Sequence, residues 1–196
     1  MGGGDKALRL LAGRTLLDHA LEAVRPQVGA IVLNANGDPT RFAAWALPVV
    51  ADTLPDHPGP LAGILAGMRW AAAHHPDAAD ILSVPTDTPF LPADLVARLD
   101  AARLAAGVGI ACAASGGWRH PVIALWPVTL ADRLEAALRA GMRKIDAWTA
   151  REGVAHAEFA FTGVEGRIDP FFNANTPEEL ENADRLLELE LRADKK

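Results

Sequence analysis

The sequence is poor in cysteine, in basic charge and in long apolar runs. Cys112 is the only cysteine among 196 residues, so no disulfide can form within the chain. Nineteen Lys and Arg residues stand against 25 Asp and Glu, and a net charge of −6 disfavours a broad nucleic-acid surface. No stretch approaches the roughly 18 apolar residues of a membrane span, and no signal peptide is visible. We therefore expect a cytoplasmic protein that binds neither nucleic acid nor membranes.

Several catalytic signatures are also missing. The Gly-x-Ser-x-Gly of serine hydrolases is absent, and Ser83 falls within a predicted strand. His74 and His75 end a predicted helix and lack the spacing of metal ligands. His120 could act as a catalytic base, but a single histidine beside a proline is more often structural.

The chain instead shows a regular alternation of short apolar strands and helices. Half of the residues are hydrophobic, which suffices for a sizeable core. The β-α-β-α order predicts an α/β fold of three layers with a mostly parallel mixed sheet, in one domain over residues 1–196 with a frayed tail at 193–196. The expected helices are 16–24, 40–45, 61–75, 92–105, 129–140, 143–152 and 176–192, and the expected strands are 30–33, 48–51, 80–84, 108–114, 121–126 and 154–161.

Three predicted strand ends carry polar residues. Asn34 and Asn36 follow one strand, Asp52 follows the next, and Asp87 follows a third. Because parallel strands end at one edge of a sheet, these side chains could line a single cleft, where ligands of open α/β sheets bind. The alternative is that each is an ordinary turn residue.

Asp87 is the sharpest of these candidates. It is held between Thr86 and Thr88 just after an apolar run, where a carboxylate is a natural ligand for Mg²⁺. Its structural alternative is to cap the helix expected near Pro92, but five residues of separation make that role awkward.

Polar residues at the two ends of the chain are further candidates. Lys6 follows Gly2–Gly4, and glycines let the backbone approach an anion while the lysine adds a point charge suited to a triphosphate. This run lacks the Walker spacing, and Lys6 could equally be a surface residue. Near the other end, Thr176 is expected to cap the last helix, whereas Asn173 and Asn175 lie too early for that role.

Six segments in order resemble the molybdenum cofactor guanylyltransferase (MobA) family over nearly the whole chain. Individually the motifs are modest, but the ordered set is highly specific. They are Met1-Gly-Gly-x-Asp5-Lys6, Val32-Leu-Asn-Ala-Asn36, Pro58-Gly-Pro-Leu-Ala-Gly63, Thr86-Asp-Thr-Pro89, Arg119-His-Pro-x-Ile-Ala-Leu125 and Asn173-x-Asn-Thr-Pro-Glu-Glu-Leu180.

The resemblance implies a Rossmann-like nucleotidyltransferase that moves GMP from Mg-GTP to the terminal phosphate of molybdopterin and releases pyrophosphate. Lys6 would contact the GTP phosphates, and Asp87 would bind Mg²⁺. The other residues implied in GTP binding are Asn34, Asp52, Gly59, Pro60, Leu61 and Gly63. Those implied on the molybdopterin side are Arg143, Lys144, Asn173 and Asn175. Proteins that deliver molybdopterin and molybdoenzymes that accept the cofactor are the implied partners.

The start of the chain departs from that family. Its members begin with an apolar strand and a Leu-Ala-Gly-Gly loop before the Met-Gly-Gly segment. About five buried apolar side chains of such a strand would contribute on the order of 10 kcal/mol. We therefore expect that the natural protein begins upstream of Met1, so that an extended form would melt higher and bind GTP more tightly.

Three alternatives remain open from the sequence. A related cytidylyltransferase or sugar-phosphate nucleotidyltransferase would prefer CTP or UTP to GTP. A non-catalytic module would bind nucleotide or pterin without releasing pyrophosphate. An α/β domain whose polar loops only make turns would respond to no nucleotide.

Overall fold

The computed structural model describes residues 5–54, 59–163, 166, 168–174 and 176–193. Its helices are α1 (Leu16–Val24), α2 (Pro60–His74), α3 (Leu95–Ala106), α4 (Ala131–Arg139), α5 (Ile145–Glu152) and α6 (Pro177–Ala193). Its strands are β1 (Leu10–Leu11), β2 (Arg14–Thr15), β3 (Leu33–Asn34), β4 (Val49–Val50), β5 (Asp80–Ser83), β6 (Ile110–Ser115), β7 (Trp118–Pro127) and β8 (Val154–Phe159). Short 3₁₀ turns cover Lys6–Leu8, Arg25–Gln27, Pro39–Trp45 and Val128–Leu130.

The main sheet has four strands in the order β5-β7-β6-β8. Strands β5, β6 and β8 run in one direction, and β7 runs against both of its neighbours. Strands β3 and β4 form a separate parallel pair, and β1 and β2 form a short antiparallel hairpin. The predicted mixed α/β sheet is therefore confirmed, with β7 as the reversed strand of the main sheet.

Helices cover both faces of this sheet. On one face, α2, α4 and α5 pack against Ile110, Cys112, Ala124 and Trp126. On the other face, α1 and α3 pack against residues of β6, β7 and β8 that alternate with the first set. Every residue of β6 is buried, as expected for a strand covered on both faces. The three layers follow from this alternation.

Local signals located most of the helices correctly. Thr15 and Asp18 form a capping box at the start of α1, and Thr176 and Glu179 exchange the same pair of bonds at the start of α6. The helix predicted from Pro92 instead begins at Leu95, because Pro92 accepts the Leu95 N–H in a preceding turn. The segment predicted as helix 40–45 is a 3₁₀ helix.

The strands predicted at 30–33 and 48–51 are reduced to two residues each in β3 and β4. A cleft of about 1220 Å³ lies between β3 and β5, with α1 and α2 on its sides. The expectation of an additional upstream strand stays a prediction. Within the described part of the chain, none of the helices is long and apolar enough to cross a membrane.

Candidate functional site

Two of the predicted strand ends meet in one hydrogen-bonded cluster. Asn34, at the end of β3, donates from its amide to Asp52 Oδ1 at 3.0 Å. Asn36 donates to Asp52 Oδ2 at 2.9 Å and accepts the Asp52 N–H at 2.9 Å. Because β3 and β4 are parallel and adjacent, their ends bring these side chains together. We call Asn34, Asn36 and Asp52 the Asp52 cluster.

The first turn of α2 lies directly against the Asp52 cluster. Gly59 precedes this helix with φ at +129°, a conformation that L side chains rarely adopt. A Cβ added at Gly63 would lie 2.3 Å from Asn34 Oδ1. Gly63 is therefore required for the close approach of the Asn34 amide to the helix.

Arg41 connects this cluster to the turn that carries Lys6. Its Nε donates to Asp5 Oδ2 at 2.9 Å, and Asp5 is the N-cap of the turn Lys6–Leu8. Its NH2 donates to the carbonyl oxygen of Asn36 at 2.7 Å. One guanidinium thus fixes the position of the Lys6 turn relative to the Asp52 cluster.

Asp87 lies in a different environment from Asp52. Only 9% of Asp87 is exposed, and burial raises the pKa of its carboxyl. The positive charge of Lys6, a hydrogen bond from Asn173 and the charge of Arg9 act in the opposite direction and favour the carboxylate. Asp87 does not cap α3, whose N-cap is Asp94. A carboxylate that combines desolvation with a specific charge partner such as Lys6 is a typical feature of functional sites.

The cleft between β3 and β5 is bordered by the Asp52 cluster, through Asn34, and by Asp87. Asn34, Gly59, Pro60 and Gly63 line it together with Asp87. Asn34 and Asp87 thus border one cleft although β3 and β5 belong to different sheets, and Asp52 is bonded to Asn34. Their use in one functional site stays a prediction.

Other predicted site residues lie outside the cleft. The Leu61 side chain packs into the core with Ile64 and Leu65, so only its backbone is near the cleft-lining Pro60. Arg143 donates to the carbonyl oxygens of Leu138 and Met142 in the turn after α4, and Lys144 precedes α5. These two basic residues are not among those that line the cleft. Asn175 lies outside the described residues.

The sequence did not single out several residues that organise this region. Arg41 is 36 positions from its partner Asp5, and no local pattern signals that pairing. Thr88 is 1% exposed, and its hydroxyl has no hydrogen-bond partner among the described residues. The one sequence feature that pointed to Thr88 was its position next to Asp87.

Cys112 is not a candidate nucleophile. The thiol is buried in the sheet between α2 and α5, and burial raises its pKa to about 12. The thiolate is the reactive form, so Cys112 is inert at neutral pH. It is a small residue of the core, 1% exposed.

The fold resembles that of a solved structure described as molybdopterin-guanine dinucleotide biosynthesis protein A from Archaeoglobus fulgidus. That structure has a TM-score of 0.70 and 24% identity, and the match covers 95% of this chain and 92% of the other.

The family is shown by sequence. The family model described as "MobA-like NTP transferase domain" matches residues 1–155. A protein named molybdenum cofactor guanylyltransferase from Rhodopseudomonas palustris (strain BisB5) is 54% identical over 187 residues, covering 95% of this chain and 87% of the relative. One of the same name from Bradyrhizobium sp. (strain ORS 278) is 54% identical over 193 residues, covering 98% and 89%. The chain belongs to the MobA-like NTP transferase family, whose members are nucleotidyltransferases.

Proposed function

We propose that this enzyme transfers GMP from GTP to the terminal phosphate of molybdopterin and releases pyrophosphate. The names of the relatives support the reaction. The observation that carries it is Asp87, a buried carboxylate that Lys6 and Asn173 stabilise in a cleft that Asn34 also lines. Delivery proteins, acceptor molybdoenzymes and a cytoplasmic location stay predictions of the sequence.

The nucleotide would bind at the Asp52 cluster and the first turn of α2. Gly59 leaves the backbone at the start of that turn open to close approach, because it carries no side chain, and Gly63 makes room for the Asn34 amide. The amide of Asn34 is already oriented by Asp52, so little order has to be created on binding. The peptide groups at Pro60 and Leu61 would complete this part of the site.

Asp87 fits a magnesium ion by its chemistry. Mg²⁺ usually takes one or two carboxylates and completes its coordination with substrate phosphates and water. In the described part of the chain there is no group of three His, Cys, Asp or Glu residues that could hold a metal. When bound, Mg²⁺ would neutralise phosphate charge and stabilise the departing pyrophosphate.

The side chains would act by orientation and by charge. Lys6 would draw the phosphates toward Asp87, and Asn173 would hold the Asp87 carboxylate in one orientation. The terminal phosphate of molybdopterin is an anionic nucleophile, so the transfer needs no strong general base. Arg143 and Lys144, with Asn175, would attract that second substrate, a role that rests on the family resemblance.

Transfer of label from [α-³²P]GTP to molybdopterin tests the proposal. We expect labelled dinucleotide and an equal amount of pyrophosphate, both dependent on Mg²⁺. Thermal shifts with GTP, CTP and UTP, each with Mg²⁺, then test the base. A larger shift with CTP or UTP would favour the related cytidylyl or sugar-phosphate enzymes, and binding without pyrophosphate release would favour a non-catalytic module.

A further inference from the structure

A polar cluster around the buried Ser115 lies at the end of β6, separate from the residues that line the cleft. Ser115 has no exposed surface, and its hydroxyl oxygen lies 2.8 Å from His120 Nε2 and 2.8 Å from Asp169 Oδ1. The hydroxyl donates its single proton to the Asp169 carboxylate, which can only accept. His120 must therefore donate from Nε2 to the hydroxyl oxygen. We call Ser115, His120 and Asp169 the Ser115 cluster.

The Ser115 cluster cannot work as a catalytic triad. In a triad the carboxylate binds the other ring nitrogen of the histidine, and the histidine accepts the serine proton. Here the carboxylate binds the serine itself and the histidine donates. No side of the Ser115 hydroxyl is open to a substrate. The alternative that His120 is structural is therefore the one that its contacts favour.

Asp169 also fixes the course of the chain that follows it. Its Oδ1 accepts the backbone N–H of Phe171 at 2.9 Å. The ring of Phe171, which is 3% exposed, packs at 4.9 Å from the His120 ring and at 5.1 Å from the Phe159 ring. The segment 169–174 is thereby attached to the ends of β6 and β8.

The other end of this segment contacts Asp87. The backbone N–H of Ala174 donates to the Asp87 carbonyl oxygen at 3.3 Å, and Ala174 is fully buried. The Asn173 side chain donates a hydrogen bond to the Asp87 carboxylate. One short segment therefore runs from the Ser115 cluster to the carboxylate of the proposed site.

We propose that the Ser115 cluster is a set of positioning residues that holds Asn173 against Asp87. The proposal rests on the proposed function, because Asp87 matters only if it acts at the phosphates. Loosening the cluster would let Asn173 and the Asp87 carboxylate shift, and small displacements at a reacting centre reduce turnover strongly. The side-chain hydrogen bonds of the Asp52 cluster are to Val50 and within the cluster, and none of them reaches segment 169–174, so the KM for GTP should change little.

Hydrogen exchange tests the connection without depending on the reaction. In Ser115→Ala we expect the Ala174 amide to exchange at least about tenfold faster, because the segment loses its anchor. The matched control is Thr149→Val, which removes another buried hydroxyl, one that donates to the Asp146 carbonyl oxygen. Equal acceleration at Ala174 in both variants would overturn the proposal.

A conservative substitution separates positioning from charge. Asp169→Asn keeps an oxygen that can accept from Ser115 and from the Phe171 N–H, whereas Asp169→Ala removes it. We expect the Asn variant to retain both the slow exchange of Ala174 and the turnover, and the Ala variant to lose both. Equal loss in the two variants would contradict a positioning role.

A double-mutant cycle on turnover gives the second readout. We expect Ser115→Ala to lower kcat about tenfold in the otherwise unchanged chain and to have almost no further effect when Asn173→Ala is already present. Fully additive losses would overturn the proposal. If no form transfers GMP while the exchange results hold, the proposed function fails and the structural connection from Ser115 to Ala174 stands.

Discussion

Asp52 and Asp87 both follow a strand near the same cleft, but the surroundings of their carboxylates differ. Asp52 is half-buried, and each of its carboxylate oxygens accepts an amide, from Asn34 and from Asn36. Asp87 is 9% exposed, and burial disfavours its ionised form more than Lys6 and Asn173 favour it.

This difference assigns Asp52 a structural role and Asp87 a reactive one. The carboxylate oxygens of Asp52 are already occupied by donors that orient Asn34, so its task is to shape the nucleotide site. Asp87 still lacks enough positive charge around it, so a bound cation would stabilise it further. The four predictions below test this contrast.

The largest effect is expected from Asp87→Ala. Losing one electrostatic partner of the transferred phosphate typically costs about 2.7–4 kcal/mol in the barrier, which is a loss of roughly 100-fold or more in turnover. Initial rates of GMP transfer at saturating Mg²⁺ measure it. Asp94→Ala, which removes a charge from the same loop, should keep normal rates. Near-normal transfer by Asp87→Ala would refute the assignment of Asp87.

Gly63→Ala should affect binding rather than chemistry. The added Cβ would lie 2.3 Å from Asn34 Oδ1, so the Asn34 amide must move. We expect GTP to bind about tenfold more weakly, a loss of about 1.4 kcal/mol that matches one or two hydrogen bonds. Calorimetric titration with Mg-GTP measures the affinity.

The matched control for this variant is Gly67→Ala, one turn later in α2. Its Cβ would meet only the flexible end of Ile81 at 3.3 Å. Both substitutions improve helix propensity by up to about 1 kcal/mol, so propensity does not separate them. A similar affinity for GTP in the two variants would show that the position of Asn34 is unimportant.

Asn36→Ala tests the structural role of Asp52 with a smaller expected effect. Asp52 would lose one amide donor and its own N–H would lose an acceptor. We expect a rise of about fivefold in the KM for GTP with kcat unchanged, because exposed bonds contribute about 1 kcal/mol. Thr40→Ala, which removes a donor to the neighbouring Asp38, is the control. A fall in kcat instead of a rise in KM would break the contrast between the two aspartates.

The smallest effect concerns stability and pH. Burial raises the pKa of the Asp87 carboxyl above its ordinary value in the folded chain, so between the unfolded and folded pKa values the folded chain holds the proton more tightly. The free energy of unfolding therefore falls as pH rises from the unfolded to the folded pKa of Asp87, and it stays lower at neutral pH. Asp87→Asn should melt above the unchanged chain at pH 7 without Mg²⁺.

The pH dependence gives this prediction its control. The gain in Tm should shrink toward pH 4, where the Asp87 carboxyl increasingly holds its proton. A variant that melts lower at pH 7, or a difference that is independent of pH, would contradict the conclusion that burial disfavours the carboxylate.

Local signals in the sequence account for most of the fold. The capping residues Thr15 and Thr176 act on N–H groups within three positions, so the starts of α1 and α6 were predicted correctly. The lengths of β3 and β4 were overestimated because strand length depends on pairing with distant partners. The start of α3 was misplaced because Pro92 is compatible with both a first helical turn and the turn before it.

The same distinction between local and long-range signals applies to the candidate site. Asn34, Asp52 and Asp87 could be singled out because each lies at or shortly after the end of an apolar run. Arg41 was missed because its pairing with Asp5 depends on the path of the intervening chain. Ser115 and Asp169 are 54 positions apart, and no spacing rule connects them.

The amino-acid order by itself determined the alternation of helices and strands, the caps and the polar residues at strand ends, because these depend on neighbours a few positions away. Only the tertiary structure decided which aspartate is buried, which is held by amides and how segment 169–174 reaches Asp87. Burial and long-range hydrogen bonds exist only once distant segments pack together, and the free energy of a carboxylate depends on that surrounding packing.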